Sequence, residues 1–214
     1  LEVPATLAGF TIRRYEPVVE SKILATFNRV FRASRTLEHW RWEFPGNPEG
    51  MQVMVAIHDA TGEVAGHYAG VPRRIKCRDA TGIAADSVDS MVDPRFRAGL
   101  RRPGLFVILG LRWFRDFGSG GNLFAHGLPN ESAVRVGGVF LTYQTVHSQL
   151  ALEKPLAAAR ALGGPAPPAV SEVTRFDGRF DALWQRVAPE IAIGTIRDSR
   201  YLNWPLAHHT AVSD

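Results

Sequence analysis

One cysteine, Cys77, stands in a chain of 214 residues. A lone thiol excludes an internal disulfide framework and any cysteine-rich metal site. The histidines His39, His58, His67, His126, His147, His208 and His209 never fall at a His-x-x-x-His spacing beside a carboxylate, so no metal is expected. No nucleophile elbow and no Ser/His/Asp order is present. No apolar run approaches the ~20 residues that span a bilayer. The opening residues, LEVPATLAGFTIRRYEP, lack the basic-then-apolar layout of a signal peptide. Together these absences lead to the expectation of a cytoplasmic chain with no membrane association.

Lysine is scarce as well. Of the 25 basic residues only Lys22, Lys76 and Lys154 are lysines; the rest are arginines, for a net charge of +4. Arginine grips phosphate or carboxylate in a planar, bidentate way, but an arginine-rich composition also follows from coding bias. The basic residues are spread along the chain instead of forming a stripe, so no nucleic-acid partner is expected. With 45% hydrophobic and 21% charged residues, the composition is that of an ordinary globular protein.

What is present is an ordered series of elements. FTIRRY (10–15) predicts a strand. ESKILATFNRVF (20–31) has Ile23, Leu24, Phe27, Val30 and Phe31 at helical spacing. A second helix follows with Trp40 and Trp42, capped by Ser34 or Thr36. QVMVAIH (52–58), the turn DATG and the run from Glu63 to Pro72 form a hairpin pattern. Extended chain continues over 74–78 and 83–92. LFVILGLRWFRDF (105–117) is apolar on most sides, which predicts a helix buried against a sheet, stopped by Gly118-Ser119-Gly120-Gly121. NLFAHG (122–127) predicts a strand, PNES a short helix or turn, and VFLTYQTVH (139–147) a further strand. Residues 1–150 therefore read as one α+β domain with a single βαβ crossover. Residues 151–171, rich in Ala, Pro and Gly, read as a linker or long loop. Residues 172–214 echo the beginning, a helix followed by a Trp-bearing one. They are the start of a second lobe, in a chain that is then a fragment, or a tail packed on the first domain.

Between the predicted strand and the buried helix lies VDPRFRAGLRRPGLF (92–106), with four arginines and two glycines. Unpaired N–H groups and the helix dipole favour an anion at such a helix start. The stretch SVDSMVDP (87–94), followed by arginine, glycine and an apolar helix, resembles the GNAT superfamily of N-acetyltransferases. So do GLPNES (127–132), EHWRWEF (38–44) and RDSRYLNW (197–204). The resemblance covers residues 8 to 150 well and reaches loosely to 205. It implies a mixed, mostly antiparallel central sheet with a splayed strand pair and helices on both faces. An acyl-coenzyme A, most simply acetyl-CoA, would lie in the splay, and an unidentified primary amine would be its partner, with a homodimer left open. The family turn, Arg/Gln-x-x-Gly-x-small, is best matched by Arg101 and Gly104, with Phe106 at the last small position and a longer loop before it.

The resemblance further implies that Met91 and Val92 offer backbone to the pantetheine. Arg97, Gly99, Arg101, Arg102, Gly104 and Leu105 would handle the phosphates, and Asn130 with Ser132 would hold coenzyme A or cap a helix. For catalysis, Asp86 and Asp89 are candidate bases, because carboxylates held in a core strand are suited to accept a proton. Asp89 reads equally as a strand-face hydrogen bonder and Asp93 as a turn former. Tyr143 is a candidate acid or a half-buried packing residue. Glu43 reads as a solvated helix residue or as a lining of the acceptor pocket. Trp40 and Trp42 anchor helix to sheet or shape that pocket, and Cys77 is an inert strand thiol. A non-catalytic binding or scaffold module with the same fold is the alternative to an enzyme.

Overall fold

A computed structural model describes residues 7–97, 103–148 and 173–212, with side chains as far as residue 206. The first predicted helix forms as read: α1 (Glu20–Phe31) buries Ile23 and Phe27 and exposes Lys22 and Arg29. Its end is set by Arg32 in the left-handed region, at φ 53°. Thr36, not Ser34, caps α2 (Leu37–Glu43), accepting from the His39 N–H at 3.1 Å. Trp40, wholly buried, anchors α2 to the sheet.

Six strands make one sheet in the order β1 (Phe10–Arg14), β2 (Gln52–His58), β3 (Val64–Cys77), β4 (Ala80–Val92) and β5 (Asn122–His126), with β6 (Ile193–Thr195) also paired to β3. Every pairing is antiparallel except β4 with β5. The parallel pair is the predicted crossover, carried by α3 (Leu105–Trp113). The sheet is covered on both faces. Val19, Ile23, Phe27, Trp40 and Phe44 of the first helices pack on Val53, Val55, Val71 and Met91. Leu105, Ile108, Leu109 and Trp113 of α3 pack on Met54, Ala56, Tyr68 and Ala85. Trp113 lies over Gly70, where any Cβ would overlap the indole, and donates to the Gln52 carbonyl at 2.9 Å. Burying a side chain of that size contributes about 3 kcal/mol.

Two elements differ from expectation. α3 gives way at Phe114–Gly118 to a wider π-type turn, and the left-handed glycine that follows is Gly120 at φ 78°. The strand expected over 139–147 does not form. Instead α4 (Glu131–Phe140) takes in its first two residues, and residues 141–148 have no regular structure. Thr142, at φ 56°, turns the chain so that the Tyr143 N–H reaches the Gly137 carbonyl at 3.1 Å and its ring sits where a Gly137 Cβ would be. The β-branched alternation of VFLTYQTVH yields to the packing of Leu141, which is buried in the α3 layer.

Toward the end of the chain, α5 (Gly178–Val187) begins at the Asp177 cap and α6 (Ser199–Val212) follows β6. Arg74 of β3 bonds Asp198 at 2.7 and 2.9 Å. Trp42 and Trp204 stack, and each indole N–H donates to the other's backbone carbonyl, at 2.7 and 2.9 Å. No described helix is long and apolar enough to cross a membrane.

Candidate functional site

β4 and β5 pair only from Ile83–Asp86 against Asn122–His126, while β4 runs on to Val92. The parting has a local cause. Val88 pairs with Ala69 and Met91 with His67, so Asp89 and Ser90 together face Tyr68. This is a β-bulge, which bends and twists the strand that carries it. Asp89 adopts a φ of 53°, left-handed for a residue with a side chain. That conformation costs about 1–2 kcal/mol, and two contacts hold it. The Arg35 guanidinium clasps the Asp89 carboxylate, and the His67 Nδ1–H donates to the Asp89 carbonyl at 3.1 Å. His67 is 1% exposed, and its Nε2 has no hydrogen-bond partner. Burial holds its imidazole below the ordinary value against the opposing charge of Asp89, so the ring is neutral.

Where β4 ends, Asp93 fixes the exit. Its carboxylate accepts from Arg29 at 2.6 and 3.0 Å, from the Arg95 side chain at 3.0 and 3.1 Å and from the Arg95 N–H at 3.0 Å. These bonds, those of Arg95 foremost, hold the carboxyl far below its usual range. Arg97 is exposed and donates to the Val92 carbonyl at 2.9 Å. Gly104 begins α3 with no side-chain cap and no acidic residue in the first turn. An anion is therefore favoured at this end of the gap.

On the α1/α2 face the bulge meets a charged cluster. Asn28 fixes the α1–α2 loop by accepting from the Arg35 N–H at 2.9 Å and donating to the Arg35 carbonyl at 3.0 Å. The Arg35 guanidinium then lies 4.0 Å from the centre of the Phe27 ring, between Asp89 and Glu43. Arg35 Nη2 is 3.2 Å from Glu43 Oε2, yet that oxygen receives no aligned N–H, so the two share charge without a hydrogen bond. Glu43 is pushed up to about 7, by burial first and by Asp89 second, with Arg35 and Arg73 opposing. Asp86 pairs with Arg73 at 2.9 Å and with His126 Nδ1 at 3.1 Å. Tyr201 of α6 accepts from Arg73 at 3.3 Å.

The α3 face of the same bulge is uncharged. The Tyr68 and Tyr143 hydroxyls meet in a hydrogen bond, and Ser87 is within hydrogen-bonding reach of Tyr68. Burial raises both phenols above the ordinary value.

The structure thus brings Asp86, Asp89 and Tyr143 to the bulge, with Met91 and Val92 on the β4 segment beyond it. Met91 packs under α1 and α2, and Val92 under α3. Gly104 and Leu105 stand at the α3 start, where the Leu105 side chain is buried. Asn130 caps α4, its Oδ1 accepting from the Ala133 N–H at 2.9 Å, and Ser132 is exposed on the first turn. Gly99, Arg101 and Arg102 lie outside the described residues. Arg35 and His67 were not singled out as site residues by sequence, and the solvated reading of Glu43 does not hold: its side chain is 17% exposed. Their meeting joins three separate elements, which no local spacing records.

No family model matches the chain. No curated protein matches it either. Solved structures do. An acetyltransferase of Trypanosoma brucei superposes with a TM-score of 0.56 at 18% identity, over 68% of this chain and 99% of that one. Glucosamine-6-phosphate N-acetyltransferase from Arabidopsis thaliana gives 0.54 at 17%, over 67% and 97%. The chain has the GNAT fold. A predicted acetyltransferase with acetyl-CoA from Clostridium acetobutylicum gives 0.52 at 10%, over 67% and 96%.

Proposed function

We propose that the chain binds an acyl-coenzyme A, most simply acetyl-CoA, between β4 and β5 and transfers the acyl group to a primary amine. The observation that carries the reading is the β4 segment beyond Asp86, which loses β5 as a partner while running on to Val92. Its backbone can pair with an extended ligand, as an edge strand pairs with a peptide. The uncapped α3 start at Gly104 supports the diphosphate at one end of that segment. The residues present therefore suit such a ligand. Met91 and Val92 would supply main-chain contacts, Gly104 and Leu105 N–H groups, and Arg97 a cation close by.

Amine attack on a thioester needs a proton taken from the nitrogen and one given to the departing sulfur. The two faces of the bulge divide these tasks. Tyr143, protonated at neutral pH because burial raises its phenol, would donate. On the other face, Asp86 and Asp89 are already engaged with arginines and set the charge around the amine. Tyr201 makes the C-terminal segment an outer wall of that face, so residues 173–206 belong to the same functional unit.

Thermal unfolding with acetyl-CoA tests the reading. A ligand at 100 times its dissociation constant stabilises by about 2.7 kcal/mol, and a rise in Tm of the corresponding size is expected. An unchanged Tm at millimolar acetyl-CoA would rule the reading out. Stabilisation without thiol release across a panel of amines would favour a binding module instead.

A further inference from the structure

We propose that Glu43 is the catalytic base, taking the proton from the acceptor's ammonium group; the inference rests on the acyl-transfer reading above. Three carboxylates crowd this face of the bulge, and their surroundings separate them. The Asp89 carboxylate is clasped by Arg35. The Asp86 oxygens are taken separately, one by Arg73 and the other by His126. Glu43 Oε2 is buried and accepts no hydrogen bond, although Arg35 stands 3.2 Å away. A buried acceptor without a donor is rare in a folded protein. Here the missing donor has the chemistry of an N–H carrying positive charge, because the oxygen lies beside two further carboxylates. The side chain as a whole is 17% exposed while Oε2 itself is buried, so the carboxyl is desolvated.

Glu43 is the last residue of α2, whose position is fixed by the buried Trp40 and the Trp42–Trp204 pair. The charged groups that act on it are Arg35 from the α1–α2 loop, Arg73 from β3, and Asp86 and Asp89 from β4. Burial and the Asp89 charge bring it to about 7, so it is partly ionised at neutral pH and matched to proton uptake.

The step balances as follows. The ammonium gives one proton to Glu43, and the neutral nitrogen forms a bond to the acyl carbon. The carbon–sulfur bond breaks with its electron pair on sulfur. The nitrogen loses a second proton as the amide forms. One proton finally rests on the coenzyme A thiol and the other passes from Glu43 to solvent.

The test is Glu43→Gln beside wild type, with acetyl-CoA and a panel of spermidine, ethanolamine and glucosamine, read as thiol release. Wild-type kcat/KM should rise with pH through about 7. In Glu43→Gln it should fall by about 10²–10⁴-fold and lose that rise, while the Tm gain with acetyl-CoA is unchanged. A second readout separates catalysis from structure. The folded carboxyl binds its proton more tightly than the unfolded one, whose pKa is about 4.3. Ionising Glu43 therefore lowers stability as pH rises toward 7, and Glu43→Gln should be at least as stable as wild type at pH 8. Retained activity with the same pH rise would overturn the inference, as would a Tm at pH 8 well below wild type. Absence of acetyl-CoA stabilisation in both proteins would remove the acyl-transfer reading and the inference with it.

Discussion

The two faces of the β4 bulge differ in kind. On the α3 side stand Tyr68, Tyr143 and Ser87, neutral hydroxyls packed among Phe106, Trp113 and Phe114. On the α1/α2 side stand Arg35, Glu43, Asp86, Asp89 and Arg73. Burial acts on both and has opposite chemical results. A buried phenol stays protonated and can only give a proton. A buried carboxylate brought to about 7 can take one. A ligand in the gap between β4 and β5 would then have a donor on one side of the sheet and an acceptor on the other.

That division can be broken from either side. The largest effect belongs to Glu43→Gln, whose loss and altered pH profile mark the accepting face. Tyr143→Phe should lower kcat less, by below about 10²-fold, because a thiol of pKa about 8.5 leaves with little help. Equal losses in steady-state assays of the two variants would erase the distinction between the faces. Trp113→Ala should destabilise by about 3–5 kcal/mol through the cavity it opens over Gly70, measurable by urea unfolding. The folded fraction should keep the pH rise near 7, since Trp113 lies on the donor face.

Smaller effects test the frame that holds the faces apart. Asp93→Asn should cost about 2 kcal/mol, below the ~3–5 kcal/mol of a fully buried pair, because Arg29 and Arg95 are 43% and 52% exposed. The sign follows from its depressed carboxyl. Asp93 contributes stability above the unfolded value of about 3.9, lost as pH falls below it. Wild type should therefore lose more stability than Asp93→Asn between pH 5 and pH 2 in acid titrations. Trp204→Phe, which removes one indole N–H from the Trp42 pair, should cost about 1 kcal/mol in Tm-derived stability. It should also raise KM for the amine more than it lowers kcat.

The frame of this division was legible in the sequence where pattern and packing agree. α1, the β2–β3 hairpin, β4, α3 and β5 follow from apolar spacing and turn residues, and SVDSMVDP pointed to the strand that parts from its neighbour. The reading failed over 139–147, where a strand-like alternation lost to the helix that ends at Phe140 and to the burial of Leu141 just after it. The site was half legible. Asp86, Asp89 and Tyr143 lie on or beside β4, near one another in space. Glu43 looked like one more charged helix residue, because its burial comes from β3 and β4 and not from α2. His67 looked like one apolar-strand histidine among several, since its role depends on a bulge that pairing, not spacing, creates. Arg35 needed Asn28 and Asp89, seven and fifty-four positions away, to become a site residue.

Amide hydrogen exchange with and without acetyl-CoA tests the placement of the ligand most directly. The backbone N–H groups of β4 beyond Asp86 and those at the start of α3 should gain protection when acetyl-CoA is added. The amides of β2, already paired on both sides, should not change. Protection confined to other segments, with β4 exchanging as it does alone, would contradict a ligand held between the parted strands.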